Sequence, residues 1–443
     1  MKKAGLTIAV VLFAILLFGR GPSGMDRIEG TDTFVGANPW KELGPQGGDI
    51  RAIVRNPKNT NELYAATFSG LIYRSGTNGT SWARRSAIGD NIYDLAINPR
   101  TPSTLYALGD YAIYKSVNNG VSFSEIPFPN YFYCWEGGIS INPSNPQIIY
   151  VVGRAYYDTT NWKSCIAVLK SVNGGRSWTV KYLDRTSKWG YGHDVAVSPK
   201  NPSLVYACGY YTPASGNGNK AGIFRSSNGG ETWKNVTPAF MTSPTYSYAY
   251  AIALDPTNAG RAYVAHDSGV VRTSNGGTTW KKQAFPGWMR CYAISIDKTA
   301  PQTLYAGDIN IIYRSTDGGN NWTTLSNGLY GTASKIIALG KTIHVASNGG
   351  IFKSTNRGTL FAPGHKGILA GDITSFVRLP AGGGSLTGGT GILYAAAHGY
   401  GIFKSINGGG AWTKLCDFAG SDDIAHIVAP KSDPRRVYVS TYG

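Results

Sequence analysis

The chain has 443 residues, of which 42% are hydrophobic and only 15% charged, and its formal net charge is +17. Its 58 glycines and 28 tyrosines are typical of short strands joined by tight turns and argue against a mainly helical protein. The cysteines form no Cys-x-x-Cys pair, which argues against a thiolate metal site, and we expect single buried thiols. They are Cys134, Cys165, Cys208, Cys291 and Cys416.

The first 24 residues differ from the rest of the chain. Lys2 and Lys3 precede an apolar run over residues 6–18, and small or polar residues follow up to Gly24. The run is short for a membrane span and is typical of a signal peptide, with a retained signal anchor as the alternative. We therefore predict a signal peptide over 1–24, a linker over 25–37, and a secreted protein, extracellular or periplasmic. No later segment is apolar enough to predict a membrane span.

An eight-residue element recurs eight times between residues 75 and 412. Its best-preserved copy runs over 315–322, and the copies end about 47 residues apart on average, which is near the length of a propeller blade. In this element an Asn or Asp side chain can bond backbone N–H groups of its own turn, and a Gly two residues later supplies a positive φ. The copies end at Trp82, Phe123, Trp178, Trp233, Trp280, Trp322, Phe361 and Trp412.

This element resembles the Asp box of BNR-type repeat propellers, which include sialidase-type, sortilin-type and xyloglucanase proteins. Around each box the sequence predicts an apolar strand ending near Pro (residues 95–99), a second strand (63–66), a third strand (222–226) and a fourth strand after the box. Four strands repeated radially make a propeller blade. We therefore predict an all-β fold over 38–443: a β-propeller of four-stranded blades with Asp-box turns, at least eight repeat units and an incomplete ninth.

The two ends of the repeat region bear on how the ring closes. Residues 40–43 resemble a fourth strand that can complete the last blade, and the ninth unit stops before its third strand. Nine blades exceed the usual four to eight. We therefore expect that the C-terminus is truncated or belongs to a larger tandem or ten-bladed propeller.

A basic residue stands directly before each box. It is interpreted either as a solvated strand position or as part of a basic ring that binds a polyanion. The residues are Arg74, Lys115, Lys170, Arg225, Arg272, Arg314, Lys353 and Lys404.

Aromatic residues are concentrated in the connections between second and third strands and between consecutive units, which share one face of a propeller. Flat rings stack on sugars, so this face predicts a site for glycans, a cell-surface polymer or an extracellular protein partner. The alternative is that the rings only pack loops onto the blades. The candidate ligand-binding residues are Tyr133, Trp135, Tyr157, Trp162, Trp189, Tyr191, Tyr211 and Trp288.

The alternative function is an endo-acting β-glucan glycoside hydrolase, because the repeat pattern also resembles the xyloglucanase family. In that family an Asp follows the second strand of a blade, but Phe68 stands at the matching position of unit one. Equivalent positions of other units carry Asp110, Asp267 and Asp308, and paired carboxylates are what glycoside hydrolysis needs. These three are the candidate catalytic residues, with ordinary loop aspartates as the alternative.

Other chemistries have little support in the sequence. The Phe/Tyr-Arg-Ile-Pro motif of sialidases is absent, and the six histidines show no metal-ligand spacing, so we predict no metal and no cofactor. The positive charge is spread through the repeats instead of forming one dense patch, which argues against a nucleic-acid partner.

Overall fold

The computed structural model describes residues 48–216, 218–242, 247–283, 285, 290–325, 328–329, 331–364, 373–379, 392–397, 401–406, 411–416, 423–428 and 437–442. Eight antiparallel sheets follow one another along the chain, and each has four strands in sequential order except the third, which carries a fifth strand. A two-stranded sheet follows them. The prediction of four-stranded repeat units, eight complete and a ninth incomplete, is confirmed.

The strands of the first four sheets alternate with tight turns and longer connections. In the third sheet β9 pairs with the outer half of β11, beside β10. The strands are β1 (Ile50–Arg55), β2 (Leu63–Thr67), β3 (Leu71–Ser75), β4 (Ala83–Ala87); β5 (Asp94–Ile97), β6 (Leu105–Leu108), β7 (Ala112–Ser116), β8 (Ser124–Pro127); β9 (Phe132–Tyr133), β10 (Ile139–Ile141), β11 (Ile149–Asp158), β12 (Lys163–Ser171), β13 (Thr179–Tyr182); β14 (Ser187–Val197), β15 (Val205–Pro213), β16 (Lys220–Ser226) and β17 (Lys234–Asn235).

The remaining sheets follow after one short helix, α1 (Ala239–Thr242). None of the helices in the described part of the chain is long and apolar enough to cross a bilayer. The strands are β18 (Ala249–Leu254), β19 (Ala262–His266), β20 (Gly269–Thr273), β21 (Lys281–Lys282); β22 (Ala293–Ile296), β23 (Leu304–Gly307), β24 (Ile312–Ser315), β25 (Thr323–Leu325); β26 (Ala333–Leu339), β27 (Thr342–Ser347), β28 (Gly350–Ser354), β29 (Ala362–Pro363); β30 (Ile373–Leu379), β31 (Ile392–Ala397), β32 (Gly401–Ser405), β33 (Thr413–Cys416); β34 (Asp423–Val428) and β35 (Tyr438–Tyr442).

The first seven sheets form a closed ring. Seven clusters of buried apolar side chains each lie between two neighbouring sheets, and one of them joins the seventh sheet to the first. In that cluster Ile53 and Tyr73 of sheet one pack with Ala346 and Ile351 of sheet seven. The ring therefore closes between complete sheets over residues 48–364, whereas residues 40–43, expected to supply a closing strand, lie outside the described residues.

The eighth sheet follows the closed ring and packs against the two-stranded sheet. Tyr394 and Ile402 of sheet eight share a cluster with Ile427 of β34, and the Ile427 N–H donates to Ser375 Oγ at 2.9 Å. The same kind of contact joins sheets three and four, where the Val197 N–H donates to Ser140 Oγ at 3.2 Å. The eighth and ninth units thus make the same kind of contact as neighbouring ring sheets, although they follow the closed ring in the chain.

The box turns have the predicted structural chemistry. In the fourth copy the Ser226 hydroxyl donates to Asn228 Oδ1 at 2.9 Å and accepts the N–H of Gly230 at 2.8 Å, while Asn228 Oδ1 accepts the N–H of Thr232 at 3.0 Å. Gly230 has the predicted positive φ of 82°. The residue before it is also left-handed in the copies that the structure describes in full, with φ between 52° and 70°, which explains why Asn or Gly usually stands there.

Several box turns are also bonded by the preceding sheet. The hydroxyl of a tyrosine in the second strand donates to the carbonyl of the fourth box residue of the next sheet, as Tyr150 does to Gly229 O at 2.7 Å and Tyr263 to Gly318 O at 3.0 Å. The predicted basic residue lies opposite that tyrosine on the third strand, and Arg272 reaches the same Gly318 carbonyl at 2.9 Å. Neither sequence interpretation of these cations anticipated this contact between sheets.

A histidine takes the tyrosine's place where the ring closes. His344 occupies the corresponding position of β27, and its Nε2 lies 3.0 Å from Asn78 O in the box of sheet one. Arg55 Nη2 lies 3.0 Å from His344 Nδ1, so Nδ1 accepts and the imidazole is neutral. Burial, together with the charges of Arg55 and Lys353, lowers the pKa of His344 to about 3.

The outermost strand of each ring sheet is short and polar. These fourth strands have two to five residues, and several expose cationic side chains: Arg84 in β4, Lys234 in β17 and Lys281 in β21.

The cysteines lie in the apolar core. Cys134, Cys165, Cys208 and Cys291 are buried free thiols, as predicted. The side chain of Cys416 lies outside the described residues.

Replacing Tyr150 with Phe tests the contact between sheets. The Tyr150→Phe change leaves the partly buried Gly229 carbonyl without this donor and should lower the free energy of unfolding by about 1 kcal/mol. Tyr206 provides a matched control, because its buried hydroxyl has no partner and Tyr206→Phe should be neutral or stabilising. Urea unfolding of both variants measures the difference, and equal losses would contradict the assignment.

The closing histidine makes stability depend on pH. The unfolded chain binds a proton at His344 near pH 6.5, whereas the folded chain does so only near pH 3. Stability from this group is therefore complete above pH 6.5 and falls as the pH drops towards 3, by up to about 1.4 kcal/mol per pH unit. His344→Gln keeps an N–H donor but does not titrate, so unfolding curves between pH 7 and 4 should fall less steeply. Parallel curves for the two proteins would disprove this role.

Candidate aromatic binding face

Strand order divides the connections of each ring sheet between two sides. The box turns lie on one side, and the connections between second and third strands and between consecutive sheets lie on the other. We call the second side the aromatic face. The first strand of each sheet is innermost, so the amino-terminal ends of the inner strands meet at the centre of this face.

A continuous row of aromatic side chains crosses the aromatic face from sheet two to sheet six. Each ring in it lies 4.7–6.4 Å from the next, centroid to centroid. Such spacings are typical of offset-stacked and edge-to-face pairs. We call this set the ring row, and its members are Tyr111, Tyr133, Trp135, Tyr156, Trp162, Tyr191, Tyr210, Tyr248, Tyr250 and Tyr292.

Three indoles on this face are open to solvent. Trp135 is 43% exposed, Trp162 59% and Trp189 44%. Trp162 is held at a φ of 54° and Tyr131, also exposed, at 67°, a region that bulky residues rarely adopt. Backbone strain of this kind is concentrated at functional sites. Sheets three and four thus present large apolar rings to solvent on a strained backbone.

A buried arginine holds these rings in place. The Arg154 guanidinium lies 4.5 Å from the Tyr156 ring centroid, 5.0 Å from that of Trp189 and 4.7 Å from that of Tyr191. It also donates to Ser164 Oγ at 2.8 Å and to the hydroxyls of Tyr156 and Tyr191. Arg154 therefore connects sheet three to sheet four beneath the exposed indoles.

The structure brings most, but not all, of the predicted ligand-binding residues together. Tyr133, Trp135, Trp162 and Tyr191 belong to the ring row, and Trp189 joins it through Arg154. Tyr157 and Tyr211 alternate with row members along β11 and β15, so they lie on the other faces of their sheets. The Tyr157 hydroxyl donates to Ser187 O at 2.6 Å. Trp288 lies outside the described residues.

The three candidate aspartates lie on the aromatic face but in separate sheets. The Tyr93 hydroxyl donates to Asp110 Oδ1 at 2.7 Å, and the Tyr250 hydroxyl donates to Asp267 Oδ1 at 2.7 Å. Asp308 is buried and accepts the N–H of the next residue at 2.7 Å. Burial raises the pKa of Asp110 and that of Asp308. At least two of these carboxylates thus act as acceptors that hold tyrosines near the centre of the face.

Phe68 occupies the position where xyloglucanases carry an aspartate. Its ring lies 5.7 Å from that of Tyr93 in an edge-to-face pair, and the Arg51 guanidinium lies 4.9 Å from its centroid. Position 68 of the first sheet therefore contributes an apolar contact instead of a carboxylate.

A cavity of about 700 Å³ lies at the centre of the ring, and residues of all seven inner strands line it. Lys335 Nζ of sheet seven lies 3.1 Å from Asp94 Oδ2 of sheet two. Burial raises the pKa of Asp194 to about 6, Asp94 adds to the rise and Lys335 opposes it. Burial lowers the pKa of Lys335, but Asp94 and Asp194 outweigh it and the net shift is upward.

None of Asp94, Asp194 and Lys335 is among the predicted site residues, although the sequence contains a pattern that marks the two aspartates. Asp94 Oδ2 accepts the N–H of Ile139 at 3.3 Å, and Asp194 Oδ2 accepts that of Ile252 at 2.8 Å. Each carboxylate thus bonds the next sheet's inner strand. Both stand five residues before the proline that ends the predicted first strand, so aligning the repeat units would have identified the pair. The described residues contain no cluster of three potential metal ligands.

Arg154 offers a direct test of how the rings are held. Arg154→Met removes a desolvated cation–π contact and leaves three hydroxyls without their donor, so it should lower the free energy of unfolding by about 2 kcal/mol. Arg185 is the matched control: its guanidinium lies 4.2 Å from the Tyr182 ring but is exposed, and Arg185→Met should cost about 0.5 kcal/mol. Chemical unfolding followed by tryptophan fluorescence compares them, and equal effects would contradict the structural role of Arg154.

Comparison with known proteins places the chain among repeat propellers. The family profile described as photosynthesis system II assembly factor YCF48 matches residues 239–383. A xyloglucanase of Hypocrea jecorina (strain QM6a) is 29% identical over 113 residues, which cover 25% of this chain and 12% of that protein. The chain thus matches only a small part of that enzyme's length.

Solved structures share the fold at low sequence identity. The GH74 xyloglucanase from Xanthomonas campestris superposes with a TM-score of 0.59 and 14% identity, covering 88% of this chain and 70% of that one. YCF48 from Cyanidioschyzon merolae gives 0.51 and 16%, covering 70% and 96%. A structure of YCF48 bound to D1 peptide gives 0.51 and 13%, covering 72% and 97%. The chain is a β-propeller of BNR-type Asp-box repeats, related to xyloglucanases and similar in fold to YCF48.

Proposed function

We propose that this propeller is a secreted binding protein that holds a polysaccharide along its aromatic face. The observation that supports this proposal is the ring row with its exposed indoles Trp135 and Trp162 and the adjacent Trp189. Sugar rings have apolar faces that stack on aromatic rings and hydroxyl edges that bond polar groups. A polymer can therefore lie along the row and use several rings in succession.

The combination of stacking rings and hydrogen-bonding groups on this face also favours a carbohydrate. Trp135 stacks on Tyr191 at an interplanar angle of 21°, and Tyr191 stacks on Tyr210 at 22°, so their rings offer nearly parallel surfaces. The neighbouring side chains of Lys163 and Asp158 are partly exposed and can bond hydroxyl groups. Exposed apolar area of this extent otherwise lowers solubility, which is a physical reason to expect an occupant.

The predicted export agrees with an extracellular polymer as the ligand. Residues 1–24 have the basic and apolar character of a signal peptide, and an exported protein meets extracellular polymers. An extracellular protein is the other partner considered, since one structural neighbour is YCF48 bound to D1 peptide.

A β-glucan hydrolase is the second candidate function, favoured by the relation to xyloglucanases. Asp110 and Asp267 would then need to act on one glycosidic bond, whereas each holds a tyrosine of its own sheet. Incubation with xyloglucan and mixed-linkage β-glucan, followed by a reducing-sugar assay, separates the two functions. We expect the protein to bind a polysaccharide without releasing reducing sugars. Release of reducing sugars by the wild-type protein that is lost in Asp110→Asn or Asp267→Asn would support the hydrolase.

Affinity gel electrophoresis with soluble xyloglucan, mixed-linkage β-glucan and galactomannan tests the binding proposal. The wild-type protein should be retarded by at least one polymer, and Trp135→Ala or Trp189→Ala should weaken that binding about 10-fold. Val172 supplies the control, because it is exposed on the box-turn side and Val172→Ser should leave retardation unchanged. No retardation by any polymer, or equal retardation of all variants, would refute the proposal.

A further inference from the structure

The ring row leads into the central cavity. Tyr210, Tyr248 and Tyr250 belong to the row and also line the cavity. Their rings lie 4.7 and 6.1 Å apart and leave no interruption between the exposed indoles and the cavity mouth. A chain that follows the row therefore reaches the cavity at its inner end.

The cavity lining combines polar and apolar groups. Tyrosines, Glu136 and Arg290 lie at its mouth, and the isoleucines Ile252, Ile294 and Ile336 lie further along the inner strands, beside the carboxylates of Asp94 and Asp194 and the ammonium of Lys335. A volume of about 700 Å³ lies in the range of pockets that enclose small organic ligands. A sugar residue, with hydroxyl edges and an apolar face, matches this mixed lining.

Each of the three cationic side chains that line the cavity is already paired with a carboxylate. Lys335 is paired with Asp94, Arg51 with Asp49 at 2.8 Å, and Arg290 with Asp267 at 3.5 Å. An anionic ligand would have to displace these carboxylates, whereas a neutral ligand leaves the pairs intact.

Three charged groups of the cavity lining keep hydrogen-bonding capacity for a ligand. The Glu136 side chain is 67% exposed and lies 3.8 Å from His193 Nε2. The Arg290 side chain is 63% exposed, and the partly exposed Lys335 ammonium has a third donor beyond its two contacts with Asp94. His193 Nδ1 lies 2.9 Å from Ala249 O, so its Nε2 is an acceptor in the neutral ring. Donors and acceptors for several hydroxyls thus converge at the mouth.

We propose that the central cavity binds the terminal sugar residue of a neutral polysaccharide whose chain lies along the ring row. The inference rests on the proposed function and adds to it recognition of a chain end. The row meets the cavity from one side, so a terminal residue can enter the cavity while the rest of its chain lies along the row, whereas an internal residue would need a second path for the chain beyond the cavity. The protein then distinguishes chain ends, and short oligosaccharides, from the interior of a polymer.

Filling the cavity tests this directly. Ala251 lines the cavity and is partly exposed, so Ala251→Phe places a ring in the proposed site of the terminal sugar. Calorimetric titration with six-residue oligosaccharides prepared from the retained polymer should show a Kd about 10-fold weaker, while retardation by the polymer changes by less than about 2-fold, because most of its contacts are with the row. Ala87→Phe, at an exposed position of β4, is the size-matched control and should change neither.

A second variant covers the case in which Ala251→Phe does not fold. Glu136→Gln keeps the shape of the side chain but replaces one carboxylate oxygen with an amide group, and the side-chain contact of Glu136 to His193 is a long one. Oligosaccharide binding should therefore weaken about 3-fold or more, whereas retardation by the polymer should be retained. Polymer binding with oligosaccharide binding unchanged in both variants would overturn the inference and leave the proposed function standing. A third outcome is that the wild-type protein binds oligosaccharides, both variants lose this binding, and no polymer retards any of the proteins. That outcome would support the cavity site and refute binding along the row. Binding of neither ligand would refute both.

Discussion

The contact between neighbouring sheets is the constraint on which this molecule depends. A four-stranded sheet with two apolar faces cannot bury both of them alone, so each ring sheet shares one cluster of side chains with the sheet before it and another with the sheet after it. A buried tyrosine adds direction to that apolar contact, because its hydroxyl bonds a carbonyl in the next box turn. At the closing position His344 forms the same contact. The interface between the seventh sheet and the first is thereby sensitive to protonation.

Closure of the ring also creates the candidate site. Seven inner strands converge on one axis, which brings charged side chains from distant parts of the sequence, such as Asp94 and Lys335, within 3.1 Å. The same geometry collects connections of sheets two to six on one face. Arg154 beneath Trp189 then fixes the rings where a ligand would meet them. The row and the cavity are therefore consequences of a single closure and not two independent features.

Local pattern predicted the fold well because each repeat contains its own turn chemistry. The strands, the box turns and the aromatic face all follow from short-range sequence. The number of sheets in the ring cannot be predicted in this way. The eighth copy of the box has the same sequence pattern as the first seven, so the pattern does not indicate that the ring closes before it. Tyr157 and Tyr211, predicted as ligand-binding residues, lie apart from the row for a physical reason. The sequence predicts them in loops, whereas β11 and β15 extend through them, and strand alternation turns every second side chain to the other face.

Arg154 could not be identified from sequence for a related reason. Its partners Trp189 and Tyr191 lie on a different sheet, and nothing in the spacing of the chain indicates that β11 and β14 meet at that point. The paired residues Asp94 and Asp194 differ, because they recur at the same place in their units and a comparison of repeats can detect them. Tertiary contacts between units therefore mark the limit of what local pattern predicts here.

The short outer strands have a consequence for the behaviour of the protein at high concentration. An unpaired edge strand is a template on which another chain can add, and seven such edges point outward from this ring. Two-residue strands such as Lys281–Lys282 offer almost no length for that addition, and the ammonium groups of this strand repel the same strand of a second molecule. Positive charge on outer strands of this kind therefore disfavours association from edge to edge.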